Sequence, residues 1–216
     1  MRTKRCIIAL LAGFAAIVAA GCGSGNTAAT VIHVTPEEFF TGELKRLEPH
    51  LEMNAACVKL HATGPPMTLH VTLEEFNNGK PRELGGSESA QDEPNEISVT
   101  LRPVTDVNAK QKKYRVVVAE QREHRSTDWL FGFVPVRKTS MNRTTLTTDV
   151  TVPPLSGSSM RTVQTLTVPE DLTPNHPVAV LGWFEGSGAS TMSGGETIEQ
   201  KAARVEWAFV LMLELR

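Results

Sequence analysis

Met67-Thr68-Leu69-His70-Val71-Thr72-Leu73 places an apolar residue at every second position with polar residues between them. Successive side chains on a strand point to opposite faces, so this alternation describes a strand with one face in a core and the other toward water. Ile97-Ser98-Val99-Thr100-Leu101 repeats the pattern. Residues 114–119, 129–136 and 178–184 are more continuously apolar and predict further strands. Residues 144–152 and 160–168 are Thr-rich and alternate again, as β propensity favours. Clusters of Gly, Pro, Ser, Asn and Asp separate these runs, and Asn77-Asn78-Gly79-Lys80 has the composition of a two-residue hairpin turn.

The last residues, Val205 through Leu215, are apolar on both faces through their middle. The odd-numbered series Val205, Trp207, Phe209, Leu211, Leu213 and Leu215 predicts a central strand, whose removal should cost the whole domain. One helix signal competes with the strands. Thr35-Pro36-Glu37-Glu38 combines an N-cap Thr, a Pro at the first helical position and a Glu at the third, predicting a short helix towards Leu47. The sum is a mainly β chain: about eight or nine strands in an antiparallel two-sheet β-sandwich with one short helix.

Composition agrees with one globular domain. The chain has 216 residues, 40% of them hydrophobic and 21% charged, with a formal charge of −2. Setting aside Arg2, Lys4 and Arg5 leaves 19 basic against 24 acidic residues, or −5. A mildly acidic chain without a Lys/Arg stripe lacks the electrostatic footprint of a nucleic-acid binder. The cysteines are Cys6, Cys22 and Cys57; only Cys57 lies in the body of the chain, so stability rests on the core and not on a disulfide framework.

The amino terminus carries its own instructions. Arg2, Lys4 and Arg5 precede the apolar run 6–21, which is short for a bilayer span and ends in small residues, the pattern of a cleaved export signal. Ala19-Ala20-Gly21-Cys22 resembles the lipobox of bacterial lipoproteins, with Ala19 where that family usually has Leu. The resemblance covers about the first two dozen residues. It implies that residues 1–21 are a signal peptide, that Cys22 receives a diacylglycerol and a further acyl chain, and that the protein is held to a bacterial membrane through lipid. Each buried methylene of such chains contributes about 0.8 kcal/mol, so two or three chains anchor stably. Residues 22–30 are small and polar and predict a flexible tether, leaving 31–216 as a single sandwich domain.

Residues able to carry chemistry are scattered. His61 and His70 flank Gly64-Pro65-Pro66; if that tripeptide is a hairpin tip, the two imidazoles share a polar face and could supply two metal ligands, but no neighbour supplies the third that zinc requires. Cross-strand surface histidines are the plainer expectation. Ser187 and Ser190 in the 186–195 loop lack a nucleophile elbow or a partner base. The acidic stretch 85–96, with Glu88, Asp92, Glu93 and Glu96, lacks the spacing of a calcium loop and predicts a solvated loop. Cys57 has no cationic or His residue at its side, which predicts an inert thiol. Trp129, Trp183 and Trp207 could form a sugar-stacking platform, but with one Tyr and 6% aromatic residues core packing is the better account of most of them; Trp183 and Glu185, beside the 186–195 loop, are the candidate ligand-binding residues.

The sequence therefore predicts no catalytic residue, no cofactor and no resident metal. The expected function is a membrane-anchored envelope module that binds an envelope protein or polysaccharide, or acts structurally. A hydrolase or metal-dependent enzyme built from His61, His70 and the 186–195 loop is the alternative.

Overall fold

A computed structural model of the chain describes residues 29–51, 53–91, 95–104, 111–130, 134–155, 160–189 and 195–216. In chain order the strands are β1 (Val31–Glu37), β2 (Asn54–Thr63), β3 (Met67–Asn77), β4 (Lys80–Gln91), β5 (Asn95–Val104), β6 (Lys113–Leu130), β7 (Val134–Thr151), β8 (Arg161–Thr165), β9 (Glu170–Leu172), β10 (Val178–Glu185) and β11 (Trp207–Leu215). One sheet runs β7-β6-β5-β2-β1-β9 and the other β4-β3-β11-β10-β8, with every neighbouring pair antiparallel. The described residues thus form a mainly β, two-sheet sandwich with one short α-helix, α1 (Ile198–Ala202).

Alternation fills the space between the sheets. Ile32 and Val34, Val58 and Leu60, Ile97, Val99 and Leu101, and Val116 and Val118 line one inner face; Leu69, Val71 and Leu73 with Trp183, Trp207, Phe209, Leu211 and Leu213 line the other. Burial of each such side chain contributes roughly 1.5–3 kcal/mol. The carboxy-terminal strand β11 sits mid-sheet between β3 and β10, as its odd-numbered series predicts. Its even-numbered residues Ala208, Val210 and Met212 build a second apolar layer outside the sheet with Phe76, Phe184, Ile198 and Ala202. Gly182 permits that layer, since a Cβ there would meet the Phe184 ring at 2.4 Å and Ile198 at 2.6 Å.

The expected helix after Thr35 does not form. Residues 31–37 are β1, paired with β2 along its length and with β9 at Ile32 to Val34, while the turns that follow are short 3-10 segments, Gly42–Arg46 and Glu48–His50. Past Val34 no rung joins β1 to β9, an edge position where Pro36, lacking an N–H, is tolerated. The capping box operates at α1 instead: Thr197 Oγ1 accepts from the Gln200 N–H at 3.2 Å, and Gln200 Oε1 accepts from the Thr197 N–H at 3.1 Å.

Three further expectations change. Most of the acidic stretch is strand, 85–91 in β4 and 95–96 in β5, with 92–94 outside the described residues. The apolar stretch 129–136 is not one strand, because Leu130 pairs with Val134 and the chain doubles back within it. Gly64-Pro65-Pro66 is not a hairpin tip, because β2 and β3 belong to different sheets and the tripeptide carries the chain between them. The Asn77-Asn78-Gly79-Lys80 turn does form, with φ of +48° at Asn78 and +74° at Gly79, and Asn77 opposite Lys80.

These registers give the sandwich two distinct ends. Thr30 donates to the Pro65 carbonyl at 2.6 Å, and the backbones of Arg216 and Thr68 exchange hydrogen bonds, so the chain enters the domain and ends at the same place. Eleven residues of β3 lead from there to the far end at Asn77, a span of roughly 34 Å. No described helix is long and apolar enough to cross a membrane.

Candidate functional site

The far end carries a cleft of about 690 Å³. Asn77, Asn78, Lys80 and Arg82 of the β3–β4 hairpin line one side, and Gln111, Thr151 and Pro153 of the β6 and β7 ends line the other. The hairpin is held by contact as well as by its turn. The Asn78 N–H donates to the Glu206 carbonyl at 2.9 Å, and a Cβ on Gly79 would lie 2.3 Å from the Ala203 carbonyl oxygen.

Two carboxylates sit at this end on the inner faces of the sheet. Glu75 follows Leu69, Val71 and Leu73 in phase and also lines the cleft; it accepts from Trp207 Nε1 at 2.9 Å and pairs with the exposed Arg82 guanidinium. Glu185 has no exposed surface. Tyr114 Oη donates to it at 2.8 Å, Trp183 Nε1 at 3.1 Å and Lys112 Nζ at 3.3 Å, and Arg161 stands 3.9 Å away. The Arg161 guanidinium also lies 5.0 Å from the centre of the Trp183 ring, and the Tyr114 and Trp183 rings meet at 4.8 Å. Burial first, then the hydrogen bond to Glu185, pushes the Tyr114 phenol well above its ordinary value, so it remains a donor.

This arrangement is suited to holding rather than to proton transfer. Two donors reach Glu185 Oε1 and one reaches Oε2, so the carboxylate is already engaged. Amides and a cation line the open volume: Asn77, Asn78 and Gln111 with Lys80 present groups that bind hydroxyls and carboxylates, while Arg82 is paired with Glu75 in the same lining.

The candidates read from the sequence fall elsewhere or take other roles. His61 lies on the outer face of the six-stranded sheet, its ring stacked on that of His33 at 6.4 Å, and His33 Nδ1 contacts Asp171 at 2.5 Å. His70 lies on the outer face of the five-stranded sheet, where Nδ1 is 3.3 Å from Glu88. The two histidines therefore face away from each other across the sandwich, neither a ligand pair nor cross-strand neighbours. Among the described residues no three His, Cys, Asp or Glu side chains are placed to hold a metal ion. Ser187 contacts Glu206 through its N–H at 3.3 Å, while Ser190 lies outside the described residues.

Trp183 is no stacking platform, because its ring is wholly inside the core. Glu185 is equally enclosed, and the pair acts through its contacts with Tyr114, Lys112 and Arg161. Cys57 lines a second hollow, of about 410 Å³, on the outer face of the six-stranded sheet. Burial, then the nearby Glu96 and Glu37 carboxylates, push its thiol up to about 12, which makes it unreactive.

Sequence reasoning missed Glu75, Arg82, Tyr114, Lys112 and Arg161. A usable signal existed for the acids: Glu75 continues the inward phase of β3, and Glu185 shares the phase of Trp183. A carboxylate in a core phase requires partners. No family model matches the chain, and comparison with curated proteins and with solved structures yields no significant match.

Proposed function

We propose that the protein is an exported lipoprotein, anchored to a bacterial membrane through acylated Cys22, whose sandwich is a non-catalytic binding module for envelope polymers. The observation that supports this reading most is positional. The tether 22–30 joins the sandwich at Thr30, and the polar cleft opens at the opposite end of β3, so a lipid-anchored chain holds its cleft toward the envelope space and away from its own bilayer. The amide and cation lining favours hydroxyl- and carboxylate-bearing polysaccharide over an apolar peptide. The enzyme reading draws less support, because the histidines it needs lie on opposite faces.

Metabolic labelling with an alkyne fatty acid tests the anchor: wild-type chain is expected to take up label and Cys22→Ser to lose it, and equal labelling of both overturns the reading. Retention of the full lipidated chain on isolated envelope polysaccharide tests the cleft. Lys80→Glu, an exposed change, is expected to weaken retention several-fold, and unchanged retention removes the cleft from the function.

A further inference from the structure

The last rung of the five-stranded sheet runs across the mouth between the two sheets. Register places Lys80 of β4, Asn77 of β3, Trp207 of β11, Glu185 of β10 and Arg161 of β8 side by side. Neighbouring strands lie about 4.8 Å apart, so the steps from Lys80 to Arg161 cover roughly 19 Å. Gln111 and Lys112, at the start of β6, join the two halves of this row: Gln111 lines the far-end cleft and Lys112 reaches Glu185.

Burial sorts the charges of this mouth by sign. The carboxylates lie inside, Glu185 with no exposed surface and Glu75 with 8%. Their cationic partners reach outward, with 70% of the Arg82 side chain, 49% of Lys112 and 46% of Arg161 exposed. Lys80 is exposed beside them. The carboxylate of Glu206, just before β11, is turned to the Ser187 N–H at 3.3 Å. Four cations over two enclosed carboxylates make the mouth positive, on a chain that beyond residue 21 has 19 basic and 24 acidic residues. Clefts lined by one sign of charge concentrate ligands of the other.

We propose that this mouth is a track for a glycan that carries anionic groups at intervals, with Lys80 and Arg82 meeting one of them and Lys112 and Arg161 another. The inference rests on the binding-module reading, narrows its ligand to a polyanion and extends its site from the cleft toward the opposite edge of the sheet. Arg82 engages Glu75 through Nη2, and a guanidinium has five N–H donors, so it can hold Glu75 and an incoming anion together. Arg161 is held in place by the rings of Trp183 and Tyr114, 5.0 and 5.8 Å from its guanidinium carbon. Between the two cation pairs, the amides of Asn77 and Gln111 suit sugar hydroxyls.

The length and charge of the ligand test the track together. Affinities of the purified full chain are measured for oligogalacturonates of increasing length and for the same oligomers with their carboxylates reduced to alcohols. Affinity is expected to rise about tenfold or more once a uronate chain can engage both cation pairs, to level off beyond that length and to fall with added salt. The reduced oligomers should bind weakly at every length. Arg161→Gln and Lys112→Gln, outside the cleft lining, should each lower the affinity of long uronates several-fold while leaving short ones unaffected. Lys80→Gln, an exposed change that leaves the buried cluster intact, should weaken short and long uronates alike. Lys59→Gln removes the same charge from the outer face of the six-stranded sheet and should change nothing.

A ribitol phosphate oligomer measured in parallel identifies the anion: tighter binding of either charged oligomer than of the reduced ones supports the track. Equal affinity for charged and reduced oligomers, both weakened by Lys80→Gln, overturns the track and leaves the cleft as a binding site. Uronate affinity that does not depend on length, or that survives both Arg161→Gln and Lys112→Gln, confines the ligand to the cleft and also overturns the track. Failure to bind any oligomer overturns both readings.

Discussion

Phe184 and Glu185 are consecutive on β10 and lead into two different interiors. Inside the sandwich, Glu185 is buried with donors from Tyr114, Trp183 and Lys112. In the outer layer, Phe184 packs beneath Lys201 of α1, whose Nζ is 4.5 Å from the ring centre, is equally buried and has no hydrogen-bond partner. One buried charge is hydrogen-bonded by three donors, and the other rests on an aromatic face without a hydrogen bond. The first arrangement should fix a unique geometry, whereas the second should cost stability, because desolvation without hydrogen bonds is only partly offset by cation–π attraction.

Glu185→Leu should have the largest effect. It removes the acceptor shared by Tyr114 and Trp183 and leaves their donors buried and unpaired; a loss of about 3–5 kcal/mol is expected in urea unfolding. A change below about 1 kcal/mol would show that water already satisfies the cluster. Tyr114→Phe removes a single donor and should cost about 1.5–3 kcal/mol, since the acceptor is charged.

Lys201→Met should act in the opposite direction, stabilising by roughly 1–2 kcal/mol at neutral pH. Its pH dependence sharpens the contrast. Burial first, then the Arg204 charge, lowers Lys201 below the ordinary 10.5, so the unfolded chain binds the extra proton and stability from this residue rises as pH climbs toward that value. The Met variant should lose that rise. Tyr114 has the reverse sign: its raised value makes its contribution complete below pH 10 and lost above it, and Tyr114→Phe should flatten that alkaline decline.

The smallest effect concerns a residue in neither layer. Cys57 has its thiol pushed from the ordinary 9.0 to about 12. Native protein should be alkylated at this position at pH 8 many-fold more slowly than the denatured chain, as followed by mass. Equal rates would place the thiol in open solvent.

Legibility differed between these regions for physical reasons. The strands of the core could be read because alternation is local: β3, β5 and β11 each carry their own period. The capping box at Thr35 misled because Thr-Pro-Glu-Glu is equally compatible with a strand once β2 is beside it, and pairing overrides propensity. Thr197 and Gln200 carried the same box in a segment too short to advertise a helix. The histidines were misplaced because sequence does not say which hairpin-like turn changes sheets. Glu185 was noticed but misread, since its partners Tyr114 and Lys112 come from the opposite sheet and no local pattern announces them.

The placement of β11 between β3 and β10 carries a kinetic consequence. Trp207 meets Glu75 across 132 residues, so a chain that emerges amino terminus first cannot assemble its five-stranded sheet until its final segment is free. Contacts this distant slow folding, so the five-stranded sheet stays open until β11 arrives and its two halves, β4-β3 and β10-β8, have no partner strand between them before then.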